Sequence, residues 1–284
     1  MTARRRFGVS THLFHDRRLA REDLAAIAAH GFQAIELFAT RSHFDYRDAA
    51  AVVQLGEWLV DTGLALHSVH APVMDAMRNG QWVGSFSIAA GDDTRRQAAV
   101  AEALATLALA TTIPFTYLVV HVGMPAGKAG PGDNQPEAAR RSVMEIVQAA
   151  TKVRVRVALE VIPNSLSSPS ALVRTIEEEL EGIDVGVCLD YGHAHLGTDV
   201  AEAAETLSGL LWTTHVHDNH GKRDEHLVPY SGTINWDEAM MTTQKIGYDG
   251  ALIFEVGSTG ADQGDVLRRT ARARDRLDKT FITF

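Results

Sequence analysis

A lone cysteine, Cys188, rules out any intrachain disulfide, and its place in the apolar run Val185-Gly186-Val187-Cys188-Leu189 marks a buried thiol rather than a redox centre. No stretch approaches the roughly 18 apolar residues that a membrane span needs. Met1-Thr2-Ala3-Arg4-Arg5-Arg6 leads straight into strand-like sequence without the apolar core of a secretory leader. These absences predict a cytoplasmic protein with no membrane contact. Basic residues are also scarce: 27 Lys and Arg face 36 Asp and Glu, a formal net charge of -9 that disfavours nucleic acid as a partner. Linkers, repeats and low-complexity tracts are missing, so residues 1–284 read as one domain.

What the chain does have is a regular alternation. With 284 residues, 45% of them hydrophobic, it can bury a large core. Short β-branched or apolar runs alternate with longer helical patterns, the signal of βαβ units and a parallel sheet. Eight strands are predicted: Phe7 to Leu13, Ala34 to Ala39, Leu64 to His70, Tyr117 to Val122, Val155 to Val161, Val185 to Leu189, Trp212 to His217 and Ala251 to Val256. Helical segments follow each of them. Ser168-Pro169 supplies a hydroxyl cap before a first-turn proline, Asn235-Trp236-Asp237-Glu238 resembles a capping box, and Gly31, Gly63 and Gly247 stand where helices should stop. Eight units predict an α/β fold closed as a (β/α)8 TIM barrel, a single domain. Three longer segments, Val73 to Thr94, Met124 to Gln135 and Asn219 to Ile234, all follow strands and so belong on the catalytic face of such a barrel.

The carboxyl ends of barrel strands converge on one mouth, and here they carry one kind of residue. The third strand ends at His70, the fourth at His121, the fifth at Glu160, the sixth at Asp190 with His193 just beyond, the seventh at His215 and the eighth at Glu255. Asp224-Glu225-His226 follows the seventh strand, where an extended Asp-x-His turns both ligating side chains to one side. One histidine at a strand end is usually a hydrogen-bonded structural residue. Several carboxylates crowded into one mouth, interleaved with imidazoles, instead call for divalent cations of the zinc or manganese type. His217 lies on the same face as His215 and competes with it as a ligand. His12, His67 and Glu36 are further candidates near the mouth, whereas His15, His30 and His43 look incidental.

These residues resemble the xylose isomerase-like barrel superfamily, over the whole chain. That superfamily joins sugar and sugar-phosphate isomerases and epimerases to abasic-site endonucleases of the endonuclease IV type. The resemblance implies a single-ion quartet at Glu160, Asp190, His215 and Glu255, as in the sugar epimerases. It also matches the five further endonuclease-type ligands, at His70, His121, His193, Asp224 and His226, which implies one to three ions. Departures accompany the likeness: Val122 stands where the endonuclease-type His-Pro-Gly has proline, Val161-Ile162 replaces polar residues, and Val73 to Ser85 lacks abundant basic and wedge residues. By contrast, Asp224-x-His226-Leu227-x-Pro229 followed by Gly232-Thr233-Ile234-Asn235-Trp236 resembles the isomerase and epimerase branch.

The resemblance implies a metal-dependent sugar or sugar-phosphate isomerase or epimerase working through an enediolate. Glu160 and Glu255 would be the proton-transfer pair, and His12, Glu36, His217 and Arg223 the contacts to a small carbohydrate substrate. The alternative is a multinuclear-zinc phosphoester hydrolase in which Glu160 bridges ions. A helix-lined exterior is compatible with homo-oligomers.

Overall fold

The computed structural model describes residues 6–258 and 261–281. The leader reading of Met1 to Arg6 therefore falls almost wholly outside the described residues. Eight parallel strands close into a barrel: β1 (Phe7–Ser10), β2 (Ala34–Phe38), β3 (Ala65–His70), β6 (Tyr117–His121), β7 (Arg156–Glu160), β8 (Val185–Asp190), β9 (Leu211–Val216) and β10 (Leu252–Phe254). Between β3 and β6 an antiparallel hairpin, β4 (Met74–Arg78) and β5 (Gln81–Ser85), stands apart from the barrel. The first strand is shorter than expected, because Thr11–Phe14 turns into a 3-10 helix capped by the Ser10 hydroxyl.

Helices cover the outside. They are α1 (Arg21–Ala29), α2 (Ala49–Thr62), α3 (Asp93–Leu107), α4 (Pro136–Lys152), α5 (Pro169–Arg174), α6 (Tyr191–His195), α7 (Val200–Thr206), α8 (Trp236–Lys245) and α9 (Gln263–Thr280). The expected signals operate. Ser168 accepts from Ala171 N, Asn235 accepts from Glu238 N, and Gly31, Gly63 and Gly247 take the left-handed conformation at helix ends. On α4 the buried positions Ala139, Val143, Ile146, Val147 and Ala150 recur at helical spacing, which fastens that helix to the sheet.

Register is what carries this fold to a site. Parallel pairing sets His121 beside Glu160 and Asp190 beside His215, while Phe38 lies beside His70. Barrel stagger sets Glu160 beside Cys188 and His70 beside Val119, two residues short of Asp190 and His121, so these side chains keep to one face and meet at the mouth. The barrel interior narrows to Val119, Ala158 and Cys188, and burial pushes the Cys188 thiol pKa up, as expected of an inert group.

Candidate active site

At the centre of the mouth His215 Nδ1 lies 3.2 Å from Glu160 Oε1, 3.2 Å from Glu255 Oε2 and 3.8 Å from Asp190 Oδ2. Its other nitrogen, Nε2, donates to Glu36 Oε2 at 2.9 Å, and Ser68 Oγ donates to that same oxygen. In a neutral ring this leaves Nδ1 as a lone pair facing three carboxylates. Two histidines share the other oxygen of Glu160: His70 Nε2 and His121 Nε2 each stand 3.1 Å from Oε2. His70 Nδ1 donates to Ala71 O, so its Nε2 is again the lone-pair nitrogen of the neutral ring.

A third group lies toward the loop after β9. Asp224 Oδ2 is 3.1 Å from His226 Nε2 and 3.3 Å from His193 Nε2, and His217 Nε2 lies 3.8 Å from Asp224 Oδ1. His226 Nδ1 donates to Glu255 O. Asp224 and His226 meet as expected, but not through an extended strand. His226 adopts a left-handed φ of 46°, and the loop is fixed by the Asp218 carboxylate, which accepts from Asn219 N, Ile234 N and Trp236 Nε1.

Repulsion among these lone pairs is relieved by protons when no cation is bound. Burial opposes charge on His70 and His226, yet Glu160 beside the first and Asp224 beside the second carry each up to about 9. Burial opposes charge on His193 and His215 too, and the surrounding acids hold both well above the ordinary value. Burial would raise Glu160, Glu255 and Asp224, but their histidine neighbours hold all three below the usual carboxylate range. The mouth is built to hold concentrated positive charge. Donor atoms sharing one tetrahedral ion at about 2.0–2.2 Å stand roughly 3.3–3.6 Å apart; the separations around His215 (3.2–3.8 Å) and around Asp224 (3.1–3.8 Å) bracket that edge, and the two histidines on Glu160, at 3.1 Å, stand just inside it. Mixed imidazole and carboxylate donors suit zinc or manganese. In each of three groups, Glu160-Asp190-His215-Glu255, His70-His121-Glu160 and His193-His217-Asp224-His226, the ligand atoms all lie within 4.8 Å of one another; His12, His226 and Glu255 form a fourth such set.

Above these residues lies a cleft of about 600 Å3, part of it open to solvent. His70, His121, His193, Asp224, His226 and Glu255 form its floor, and His12 joins them with its Nδ1 buried and unpartnered. The roof comes from two of the long segments expected on the catalytic face and from the end of β2, through side chains that the sequence did not single out. Met74 and Trp82 project from the hairpin, Phe38 ends β2, and Met124 and Pro125 follow β6, with Lys128 exposed at the rim. His15, expected to be incidental, stacks on His12 at 4.6 Å and on Trp82 at 5.1 Å.

Four expected positions differ from the sequence reading. Glu36 is fully buried behind His215 and orients that ring rather than facing the cleft. His217 donates through Nε2 toward Asp190, 3.0 Å from Oδ1, and packs so tightly on Gly192 that a Cβ there would come within 1.9 Å of the ring. Arg223 is exposed on the loop and absent from the cleft lining. His67 lies toward the amino end of the barrel, bonded to Thr213 Oγ1, and burial lowers it to about 4.

Comparison with known proteins agrees with this architecture. Residues 24–279 match the xylose isomerase-like TIM barrel family, and the chain belongs to it. An uncharacterised protein of Methanocaldococcus jannaschii, MJ1311, is 31% identical over 121 residues, a stretch that covers 40% of this chain and 41% of that protein. The matched region thus spans less than half of that relative. The uncharacterised protein y4fM of Sinorhizobium fredii is 26% identical over 211 residues, covering 69% of this chain and 68% of its own. Among solved structures, a D-tagatose 3-epimerase-like protein superposes with a TM-score of 0.77 at 24% identity, over 97% of this chain and 96% of that one. The D-psicose 3-epimerase of Clostridium cellulolyticum H10 with D-tagatose gives 0.77 at 19% identity, over 97% and 99%. The IOLI protein with a bound zinc atom gives 0.76 at 16% identity, over 98% and 100%. At these identities the likeness speaks for the fold.

Proposed function

We propose that this chain is a divalent-metal-dependent isomerase or epimerase of a small carbohydrate, moving a proton at the carbon beside a carbonyl. The observation that carries this reading is the Glu160-Asp190-His215-Glu255 quartet at the base of a partly open cleft that Glu255 itself lines. Those four residues would hold an ion of the zinc or manganese type, which when bound supplies Lewis acidity toward a carbonyl and its neighbouring hydroxyl. Structural likeness to proteins described as ketose 3-epimerases supports the reaction class by analogy.

The proton-transfer pair Glu160 and Glu255 acts unequally on this reading. Glu255 lines the cleft and takes the proton, its Oε2 held 3.2 Å from His215 Nδ1. Glu160 lies beneath the cleft surface with both oxygens engaged, one by His70 and His121 and the other by His193 and His215. It holds the charge of the floor and completes the pair for substrate seated among the ligands. Glu36 keeps His215 in the tautomer that points Nδ1 at the carboxylates, and His217 steadies Asp190.

A second reading, hydrolysis of a phosphoester, is favoured by one feature: Glu160 belongs to two donor groups at once, with the outer group close by. Elemental analysis of the purified protein beside paired assays for ketose epimerisation and phosphodiester cleavage separates the two. One ion per chain with epimerisation is expected. Three ions with cleavage would replace the first reading by the second, and binding to abasic duplex that survives moderate salt would point the same way.

A further inference from the structure

The cleft is divided chemically. Its floor is made entirely of imidazoles and carboxylates, and its upper wall is apolar: Phe38, Val73, Met74, Trp82, Met124 and Pro125. Among the described residues that line it, none presents a side-chain hydroxyl or amide, and Lys128 at the exposed rim is the one cation outside the histidines. The wall is also a fixed surface. Phe38 meets His12 edge-on at 4.9 Å and Trp82 edge-on at 6.1 Å, and Trp82 stacks on His15 at 5.1 Å. The hairpin that carries Met74 and Trp82 is tied to the loop after β2 by the Arg41–Asp75 ion pair and by Met77 N donating to Ser42 Oγ.

This division limits what can occupy the cleft. A hydroxyl turned toward Met74, Phe38 or the face of the Trp82 ring finds no strong acceptor for its own proton, because the one strong polar group on this wall, the Trp82 indole N–H, only donates, and such an unmade bond costs about tenfold in affinity. A phosphate would carry close to two negative charges and several acceptors to a rim that offers a single ammonium. A methyl group in the same place gains from leaving water. We therefore infer that the substrate of the proposed reaction is an unphosphorylated deoxy sugar, its hydroxy-carbonyl end on the ligand floor and its terminal methyl against Trp82, Met74 and Phe38.

This inference rests on the carbohydrate reading, so its test uses ligands that cannot turn over. L-fucitol is galactitol with one terminal hydroxyl replaced by hydrogen, and L-rhamnitol stands in the same relation to L-mannitol. Calorimetric titration of the metal-loaded protein should give at least about tenfold tighter binding for one deoxy member over its parent. In Trp82→Ala, and separately in Met74→Ser, that preference should fall toward one, with metal content unchanged. Equal or tighter binding of the parents overturns the inference, as does a preference that survives both substitutions, or no binding by any of the four. The turnover assays above judge the carbohydrate reading separately. A phosphorylated ketose turned over in preference to its free sugar would keep that reading and discard this one.

Discussion

His67 and His70 stand three residues apart on β3, yet they live in opposite electrostatic worlds. His67 has one neutral partner, the Thr213 hydroxyl at 3.1 Å, and a Tyr117 ring 5.3 Å away, beside which the Arg156 guanidinium covers Trp212 at 3.4 Å. Burial is the largest influence on its protonation, outweighing the pull of Glu36, and drives it to about 4. His70 is as deeply buried, but it shares Glu160 Oε2 with His121 and is held up at about 9. The same residue type on the same strand is a structural group at one end of the barrel and part of a charge-holding cluster at the other. What differs is how many strands deliver an ionisable terminus to that level. The amino end is complete as it stands, whereas the carboxyl end is balanced only by protons or cations.

The sharpest way to break this contrast is to remove charge from the cluster. Glu160→Gln and Glu255→Gln should each lower kcat by about 10³-fold or more, while circular dichroism shows the barrel intact. The change is nearly isosteric but removes both basicity and anionic ligation. Near-normal turnover by either variant would sink the assignment. Because Glu255 lines the cleft and Glu160 does not, Glu160→Gln should lose metal as well as rate, and Glu255→Gln should lose more rate than metal.

A smaller effect is expected within the cluster itself. With one ion expected on the inner quartet, His193→Ala, Asp224→Ala and His226→Ala should each leave metal content unchanged, read by elemental analysis after dialysis, whereas loss of one equivalent in each would establish a second ion on the outer group. Unchanged metal content in all three would assign these residues to substrate contact or to fixing the loop, and would favour a single-ion epimerase.

How much of this was legible in the sequence follows from the same geometry. Side chains two apart on a strand share a face, so naming the residues near the strand ends was enough to bring His70, His121, Glu160, Asp190, His215 and Glu255 together at the mouth despite the stagger. The segments that supply the roof were placed on the catalytic face, but which of their side chains cover the mouth was not legible, because that depends on contacts between distant segments. Even so, Asn79-Gly80, both at positive φ in the tight turn between β4 and β5, is a hairpin signal that could have found Trp82 opposite Met77. Glu36 was read as a substrate contact because a carboxylate on an inward-facing strand position looks the same in sequence whether it meets substrate or, as here in the middle of β2, orients a histidine. Strand β1 was drawn too long, since the Ser10 cap that starts a 3-10 turn looks like one more strand residue in an apolar run.

At the amino end the contrast is sharpened by acid. His67 has a folded-state pKa of about 4, below the ordinary value of about 6.5, so the fold favours its neutral form. A group shifted in that direction contributes its stability in full above pH about 6.5 and loses it as pH falls through about 4. The distance between about 6.5 and about 4 corresponds to roughly 3 kcal/mol. In His67→Gln, a side chain that stays neutral, the loss of stability between pH 6.5 and 4 should shrink by up to this amount relative to the parent protein. Denaturant midpoints across that range test it with both proteins metal-loaded alike, so that loss of metal affects the two equally. Parallel curves would mean that His67 is protonated, or already exposed, without cost.

The smallest expected effect is at Arg223, and it tests whether the cleft or its outer loop recognises substrate. Arg223 follows Lys222 beside Asp224 of the outer donor group, a sequence position that suggests a cation reaching for substrate oxygens. The structure instead exposes it outside the cleft lining, on a loop whose anchoring is done by Asp218 and Asn219. An exposed guanidinium there acts through a screened field worth well under about 1 kcal/mol at physiological salt. Arg223→Ala should therefore change kcat/KM by less than about twofold, and metal content not at all. Lys128→Ala, at the rim of the cleft itself, is the comparison that gives this number meaning. If the loop variant lost tenfold in kcat/KM while the rim variant lost nothing, the loop would have to close over substrate during turnover, and the recognition surface would extend beyond the cleft described above.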